Sequence, residues 1–160
     1  MESVELDDVD RGILHMLQKN ARDVTASEMA ERVSVSSSTV RNRIERLEDS
    51  GVIRGYHPEL DYEQAQYQLQ MVVICRAPVG KRSDFVDAAI DIDGVVTVRE
   101  MLTGTDNVHV EAVGVDSDAI DRTTERLTDI GLEIQSVNLV KKMHVQPFDH
   151  FGNDIVNGDD

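Results

Sequence analysis

Ser36-Ser-Ser-Thr-Val-Arg-Asn-Arg-Ile-Glu-Arg-Leu-Glu-Asp-Ser-Gly51 carries the signals of one helix from start to stop. Ser36 is an N-cap residue whose hydroxyl can accept from the orphan N–H groups of the first turn, and Gly51 sits where a helix ends in a left-handed residue. Between them Val40, Ile44 and Leu47 recur at i, i+4 and i+7, so they share one face, which must be covered. Ser38, Asn42 and Glu45 point the other way. A helix this polar on its outer side holds its shape through what packs on its aliphatic side, so its neighbours decide the fold.

Upstream, Leu6-Asp-Asp-Val-Asp-Arg-Gly-Ile-Leu-His-Met-Leu-Gln-Lys-Asn20 predicts a first helix. Asp7 or Asp8 is its N-cap, and Val9, Ile13, Leu14, Met16 and Leu17 lie near helical spacing. Thr25-Ala-Ser-Glu28 offers a capping box for a short second helix ending near Arg32, with Met29 and Ala30 on its inward side. Val33-Ser-Val35 leaves room only for a tight connection. Three short helices with a tight turn before the third predict a helix-turn-helix module over residues 1–60. Its last stretch, Val52-Ile-Arg-Gly-Tyr-His57, is β-prone and predicts a small wing or linker strand ended by Pro58.

After a linker over 61–69 the texture becomes mixed. Strands are expected over 70–77, 94–102, 108–115 and 132–145, helices over 81–92 and 116–130, and a turn at Thr103-Gly-Thr-Asp-Asn107. The order β-α-β-β-α-β over 70–147 is a ferredoxin-like split unit, so the fold class is α+β with two modules. An antiparallel sheet with both helices on one face leaves its other face to be covered, and a second copy of the sheet is an economical cover. A homodimer is therefore expected. The tail over 148–160 is acidic and rich in Gly and Asn, its last residues are expected to be mobile, and no role is assigned to it.

Composition narrows the functional classes. No apolar run approaches the roughly 20 residues of a membrane span, and the N-terminus lacks the features of a signal peptide, so a cytoplasmic location is expected. The single cysteine, Cys75, lies in the apolar run Met71-Val-Val-Ile-Cys75 and reads as a small buried hydrophobe. A net charge of -15 looks wrong for a binder of nucleic acid, but the charge is uneven. Residues 1–60 carry 8 Lys+Arg against 12 Asp+Glu, and residues 61–160 carry 8 against 19. The surplus acid sits away from the helical module, where Arg41, Arg43, Arg46 and Arg54 cluster. A surface this acidic is also what a protein of a halophile, working in high salt, would carry.

The third helix supplies the chemistry. A helix of this width fits a major groove, with its N-terminal residues at base edges and its N–H groups toward phosphate. Ser36, Ser37, Ser38 and Thr39 bring hydroxyls suited to phosphate oxygens, Asn42 can pair bidentately with adenine, and Arg41 with guanine. Arg43 and Arg46 lie at the flanks, where backbone contact is expected. The bland alternative is that the hydroxyls only cap the helix and the arginines pair with Glu45, Glu48 and Asp49. In that case the trio would be a protein-interaction module, with the sheet serving only to dimerise. A salt-dependent specific complex with duplex DNA separates the two readings.

Enzyme chemistry has no support: phosphate loops, nucleophile elbows and His/Cys metal spacings are absent, and no carboxylate pair stands out from the general acidity. Neither a cofactor nor a metal site is expected. Only His144, Asp149, His150 and Asp154 come near one another, and a polar tail explains them.

The segments Leu6-Asp-Asp-Val-Asp-Arg-Gly-Ile-Leu14, Ser27-Glu-Met-Ala-Glu-Arg-Val33, Ser36-Ser-Ser-Thr-Val-Arg-Asn-Arg-Ile-Glu-Arg-Leu-Glu48 and Gly51-Val-Ile-Arg-Gly-Tyr56 together resemble the Lrp/AsnC family of transcription regulators. The likeness continues through the β-α-β-β-α-β half, over about residues 5 to 147, and the tail beyond Pro147 departs from it. It implies a homodimer, often assembled into tetramers or octamers, that binds pseudo-palindromic operators in double-stranded DNA and responds to amino acids. It also implies an effector site near Met101, Thr103, Gly104, Thr105 and Asp106. There Gly104 permits close backbone approach, the two threonines offer hydroxyls, and Asp106 could receive an amino group. An ordinary polar turn would use the same residues.

Overall fold

The structure, a computed structural model, describes residues 4–78, 80, 82–148 and 151. It divides into two compact units, one formed by residues 1–58 and 144–160 and the other by residues 59–143.

The first unit contains α1 (Asp8–Asn20), α2 (Ala26–Arg32) and α3 (Ser37–Asp49). Their starts are chemical. Asp7 caps α1 in a reciprocal box with Asp10, and Thr25 caps α2 in a second box with Glu28. Ser36 caps α3, whose run ends at Ser50 before Gly51 in the left-handed region at φ 75°. Ile13, Leu14, Met16, Met29, Ala30, Val33, Val40 and Leu47 form one core, with Leu17, Ile44 and Ile53 packed at its edge.

One expectation for this unit changes. Residues 52–57 form no strand. Ile53 instead donates its N–H to the Leu47 carbonyl at 2.9 Å and lays its side chain on the core, while the Tyr56 hydroxyl donates to Glu48 at 2.7 Å. Burial, with Glu48 beside it, pushes the Tyr56 phenol up to about 12. The segment folds back on α3 through one backbone bond and the side chains of Ile53 and Tyr56, in place of a strand ladder. The tail, given no role above, returns to this unit: Phe151 packs on its core, and the Phe148 N–H donates to Gln18 at 3.1 Å. The two phenyl rings meet edge to face at 5.0 Å. The last residues, expected to be mobile, lie outside the described ones.

The second unit contains β1 (Leu69–Arg76), α4 (Arg82–Ile90), β2 (Val95–Glu100), β3 (Val108–Gly114), α5 (Ser117–Asp129) and β4 (Glu133–Leu139). The sheet order is β2-β3-β1-β4, and every pairing is antiparallel, as a split β-α-β-β-α-β unit requires. Met71, Val73 and Cys75 of β1 and Val108, Val110 and Ala112 of β3 form the covered face, against Ala89 and Phe85 of α4 and Leu127 and Ile120 of α5. Cys75 is fully buried, which pushes its thiol up to about 11, as the reading of it as a core hydrophobe requires.

Registers Val72↔Glu111, Ile74↔His109, Val72↔Asn138 and Ile74↔Ser136 define the opposite face. None of these residues belongs to the helix-covered core. The last strand stops at Leu139, short of the 145 expected, because Met71 opposite it lies next to the start of β1. One further bond, from Val140 N–H to the Gln70 carbonyl, ends the pairing.

Candidate nucleic-acid interface

The turn into α3 is set by two valines. Val33 is buried and Val35 half-buried, both against the helical core, which holds Ser34 between them at φ 55°. A non-glycine residue in the left-handed region persists where its surroundings fix it, and here the Val35 N–H bond to the Ala30 carbonyl at 3.1 Å closes the turn.

Beyond it the Ser36 hydroxyl accepts from the Thr39 N–H at 3.1 Å and lies 2.9 and 2.8 Å from the hydroxyls of Ser38 and Thr39. Three hydroxyls thus gather at the start of a 13-residue helix, where the backbone N–H groups and the helix dipole favour an anion. Ser38, Arg41, Asn42 and Glu45 fall at i, i+3, i+4 and i+7, and all four are exposed. Ser37 and Thr39 are half-buried. The face expected to meet DNA is therefore open within its unit.

Arg43 and Arg46 are placed differently. They pair with carboxylates of α1 and its cap instead of with Glu45, Glu48 or Asp49 of their own helix. Arg43 Nη1 donates to Asp7 at 2.6 Å and to both oxygens of Asp10 at 3.1 and 3.2 Å, and Arg46 Nη2 donates to Asp10. The Asp10 side chain is wholly buried. The signal was present in the sequence: Asp10 precedes Ile13 and Leu14 by three and four residues, so a carboxylate lies on the apolar face of α1 and needs a cation.

The Asp10 N–H, and after it the Arg43 guanidinium, hold the Asp7 carboxyl at about 2, below the ordinary 3.8, although its partial desolvation works the other way. A folded value below the unfolded one contributes stability that is complete above the unfolded value and is lost as pH falls through the folded one. Urea midpoints of the first unit should therefore drop between pH 5 and pH 2. Asp7→Asn, which retains an N-cap side chain, should flatten that drop; an equal drop in both proteins would show that Asp7 does not carry it.

The segment after β2 is pinned at its base and open at its tip. Met101 donates its N–H to the Asn107 carbonyl at 2.9 Å and accepts from Arg82 at 2.7 Å. The side chain of Asn107, 4% exposed, bridges to β1, accepting from the Ala77 N–H at 2.8 Å and donating to the Ala77 carbonyl at 3.0 Å. Asp106, expected as a receiver for an amino group, pairs with Arg76 at 3.0 Å. Thr103, Gly104 and Thr105 are exposed, Gly104 has φ 95°, and Leu102 is 92% exposed. The anchors Arg76, Arg82 and Asn107 were not singled out from the sequence, since each acts on a residue distant in the chain.

Among the described residues no group of three or more His, Cys, Asp or Glu is placed to hold a metal ion. Asp149, His150 and Asp154 lie outside them. No described helix is long and apolar enough to cross a membrane.

A family model described as winged helix-turn-helix DNA-binding matches residues 6–54. An uncharacterized HTH-type transcriptional regulator of Pyrococcus horikoshii is 32% identical over 146 residues, 91% of this chain and 97% of its own length. The leucine-responsive regulatory protein of Rhizobium meliloti is 41% identical over 81 residues, 51% of this chain and 50% of its own. Among solved structures, a transcriptional regulator of Neisseria meningitidis in complex with L-Met superposes with a TM-score of 0.70 at 28% identity, covering 89% of this chain and 94% of that one.

Proposed function

The chain belongs to the Lrp/AsnC family of helix-turn-helix transcription regulators, and from that premise we propose that α3 is its recognition helix. It is a DNA-binding regulator and not an enzyme. Ser38, Arg41 and Asn42 face base edges in the major groove, and the Ser36, Ser37 and Thr39 end of the helix lies against phosphate. The observation that carries this reading is the exposed row Ser38, Arg41, Asn42 and Glu45 on a helix whose opposite side is held in the core. Arg43 and Arg46 act one step removed, through Asp7 and Asp10.

The test is binding to a duplex enriched by the wild-type protein from a randomised pool. Asn42→Ala should lose about 1–3 kcal/mol of discrimination at one base position while keeping its affinity for mixed-sequence DNA. Unchanged discrimination at every position sinks the assignment.

The working form we propose is a homodimer made through the sheet face that carries Val72 and Ile74, with tetramers or octamers built from it. Two copies then present two recognition helices to half-sites about one helical turn apart. Sedimentation showing only monomer at micromolar concentration would exclude it. An amino acid or a similar small effector is proposed at Met101, Thr103, Gly104, Thr105 and Asp106. The exposed, pinned loop supports that placement, as do the leucine response named for one relative and the L-Met complex of another. Its action requires different affinity for two assembly states, so calorimetry with a panel of amino acids should show both heat and a change in assembly. The acid surplus supports work at high salt, and DNA as a partner supports a cytoplasmic location.

A further inference from the structure

Four arginines lie on α3 or just after it, and two of them are already answered inside the unit. Arg41 and Arg54 are exposed, and Arg43 and Arg46, with side chains 29% and 46% exposed, reach inward and converge on Asp10. Both oxygens of that carboxylate are engaged: the Asp7 N–H donates to it at 3.2 Å, Arg43 reaches both oxygens, and Arg46 reaches one. Together Asp7, Asp10, Arg43 and Arg46 are electrically neutral.

We infer that Asp10 is a positioning residue that limits the sequence-independent affinity of the protein for DNA by holding Arg43 and Arg46 in internal pairs, which withholds two phosphate contacts. The inference rests on the reading of α3 as the recognition helix. Its physical basis is the difference between buried and exposed pairs. The arginines of the two kinds of pair are alike in exposure, 45% for Arg11 and 46% for Arg46, but the Asp8 carboxylate is 78% exposed, so Arg11 exchanges it for phosphate at little cost. An arginine leaving Asp10 abandons a carboxylate with no solvent to take its place. Phosphate contacts strengthen binding to every sequence alike, and base contacts alone discriminate. With two fewer free arginines the protein binds every duplex more weakly, and the choice among duplexes stays with Ser38, Arg41 and Asn42.

The same arrangement positions the helix. Asp10 is fixed at its own end by the capping box with Asp7, so the two guanidiniums tie the middle and the last turn of α3 to the first turn of α1. A purely structural brace and a charge-withholding brace differ in one measurable respect, the dependence of binding on salt.

The experiment uses the full chain, the duplex enriched from a randomised pool, and sheared genomic DNA as mixed sequence. The logarithm of affinity is followed against the logarithm of salt concentration. Arg46→Gln should keep the wild-type slope on both DNAs. Asp10→Asn should steepen it by about 0.9 for each arginine released, equally on both DNAs, so that affinity rises on both at low salt while their ratio is kept. A slope shallower by about 0.9 in Arg46→Gln, or an unchanged slope in folded Asp10→Asn, overturns the inference. Where Asp10→Asn does not fold, Arg43→Gln takes its place: it should keep the wild-type slope, and a slope shallower by about 0.9 there also overturns the inference. Asn42→Ala reports separately on the recognition helix. Normal discrimination in that variant overturns the recognition-helix reading, whatever the slopes of the Asp10 and Arg46 variants.

Discussion

Leu47→Ala should lower the stability of the helix-turn-helix unit by about 2 to 5 kcal/mol, the range for truncating a fully buried leucine with a cavity left behind. Leu47 has no exposed surface, and it shares its core with Ile13, Met29, Ala30 and Val40 from all three helices. It also accepts the Ile53 N–H through its carbonyl, so the chain after α3 is built on the same turn. A loss of this size is a large part of the roughly 5–15 kcal/mol that separates folded from unfolded domains. Because the chain forms two units, one denaturation curve does not define one free energy, and hydrogen exchange of the α1 to α3 amides is the proper readout. Protection there should fall by more than tenfold, while exposed Asp49→Ala should change it little. Retained protection in Leu47→Ala would mean that the α3 face is held by something other than this core.

The second large effect is expected at Asn107→Asp, a change of one atom in shape. The Asn107 amide stands in for a strand partner, giving a donor to the Ala77 carbonyl and an acceptor to the Ala77 N–H, and Ala77 is itself 2% exposed. An ionised aspartate keeps the acceptor and loses the donor. It leaves a buried carbonyl unpaired and sets a charge beside it, at a cost of about 2 to 4 kcal/mol from an orphaned group plus partial burial of charge. Asn107→Ala should cost a similar amount by orphaning both groups. The consequence reaches the exposed loop, since the Asn107 carbonyl also takes the Met101 N–H and closes the loop base. Amides of Met101 and Ala77 should therefore exchange faster together. Exchange at Ala77 alone would separate the loop base from the β1 end.

Features set by neighbours in the chain are legible in the sequence, and those set by distant partners are not. Helix starts were legible because their chemistry is local: Asp7 with Asp10, Thr25 with Glu28 and Ser36 with Thr39 are each three residues apart. The β-α-β-β-α-β order was legible because alternation and helical periodicity are also local patterns. The strand expected over residues 52–57 failed for a related reason. Val52, Ile53 and Tyr56 have the residue types of a strand, but strand formation needs a partner, and Ile53 and Tyr56 found α3 instead.

By itself, the sequence determined the three capped helices, the class of the second unit, and the polar row on α3 that faces away from its core. Tertiary structure alone decided which carboxylate answers Arg43 and Arg46, 33 and 36 residues away, and that Asn107 ties its loop to Ala77, 30 residues away. It alone decided that Phe151 joins the core begun by Ile13. The reason is physical. A cap or a periodic face is selected by bonds that one turn of backbone can make, whereas an ion pair or a bridging amide exists only once two distant segments have been packed at a fixed distance by residues other than themselves.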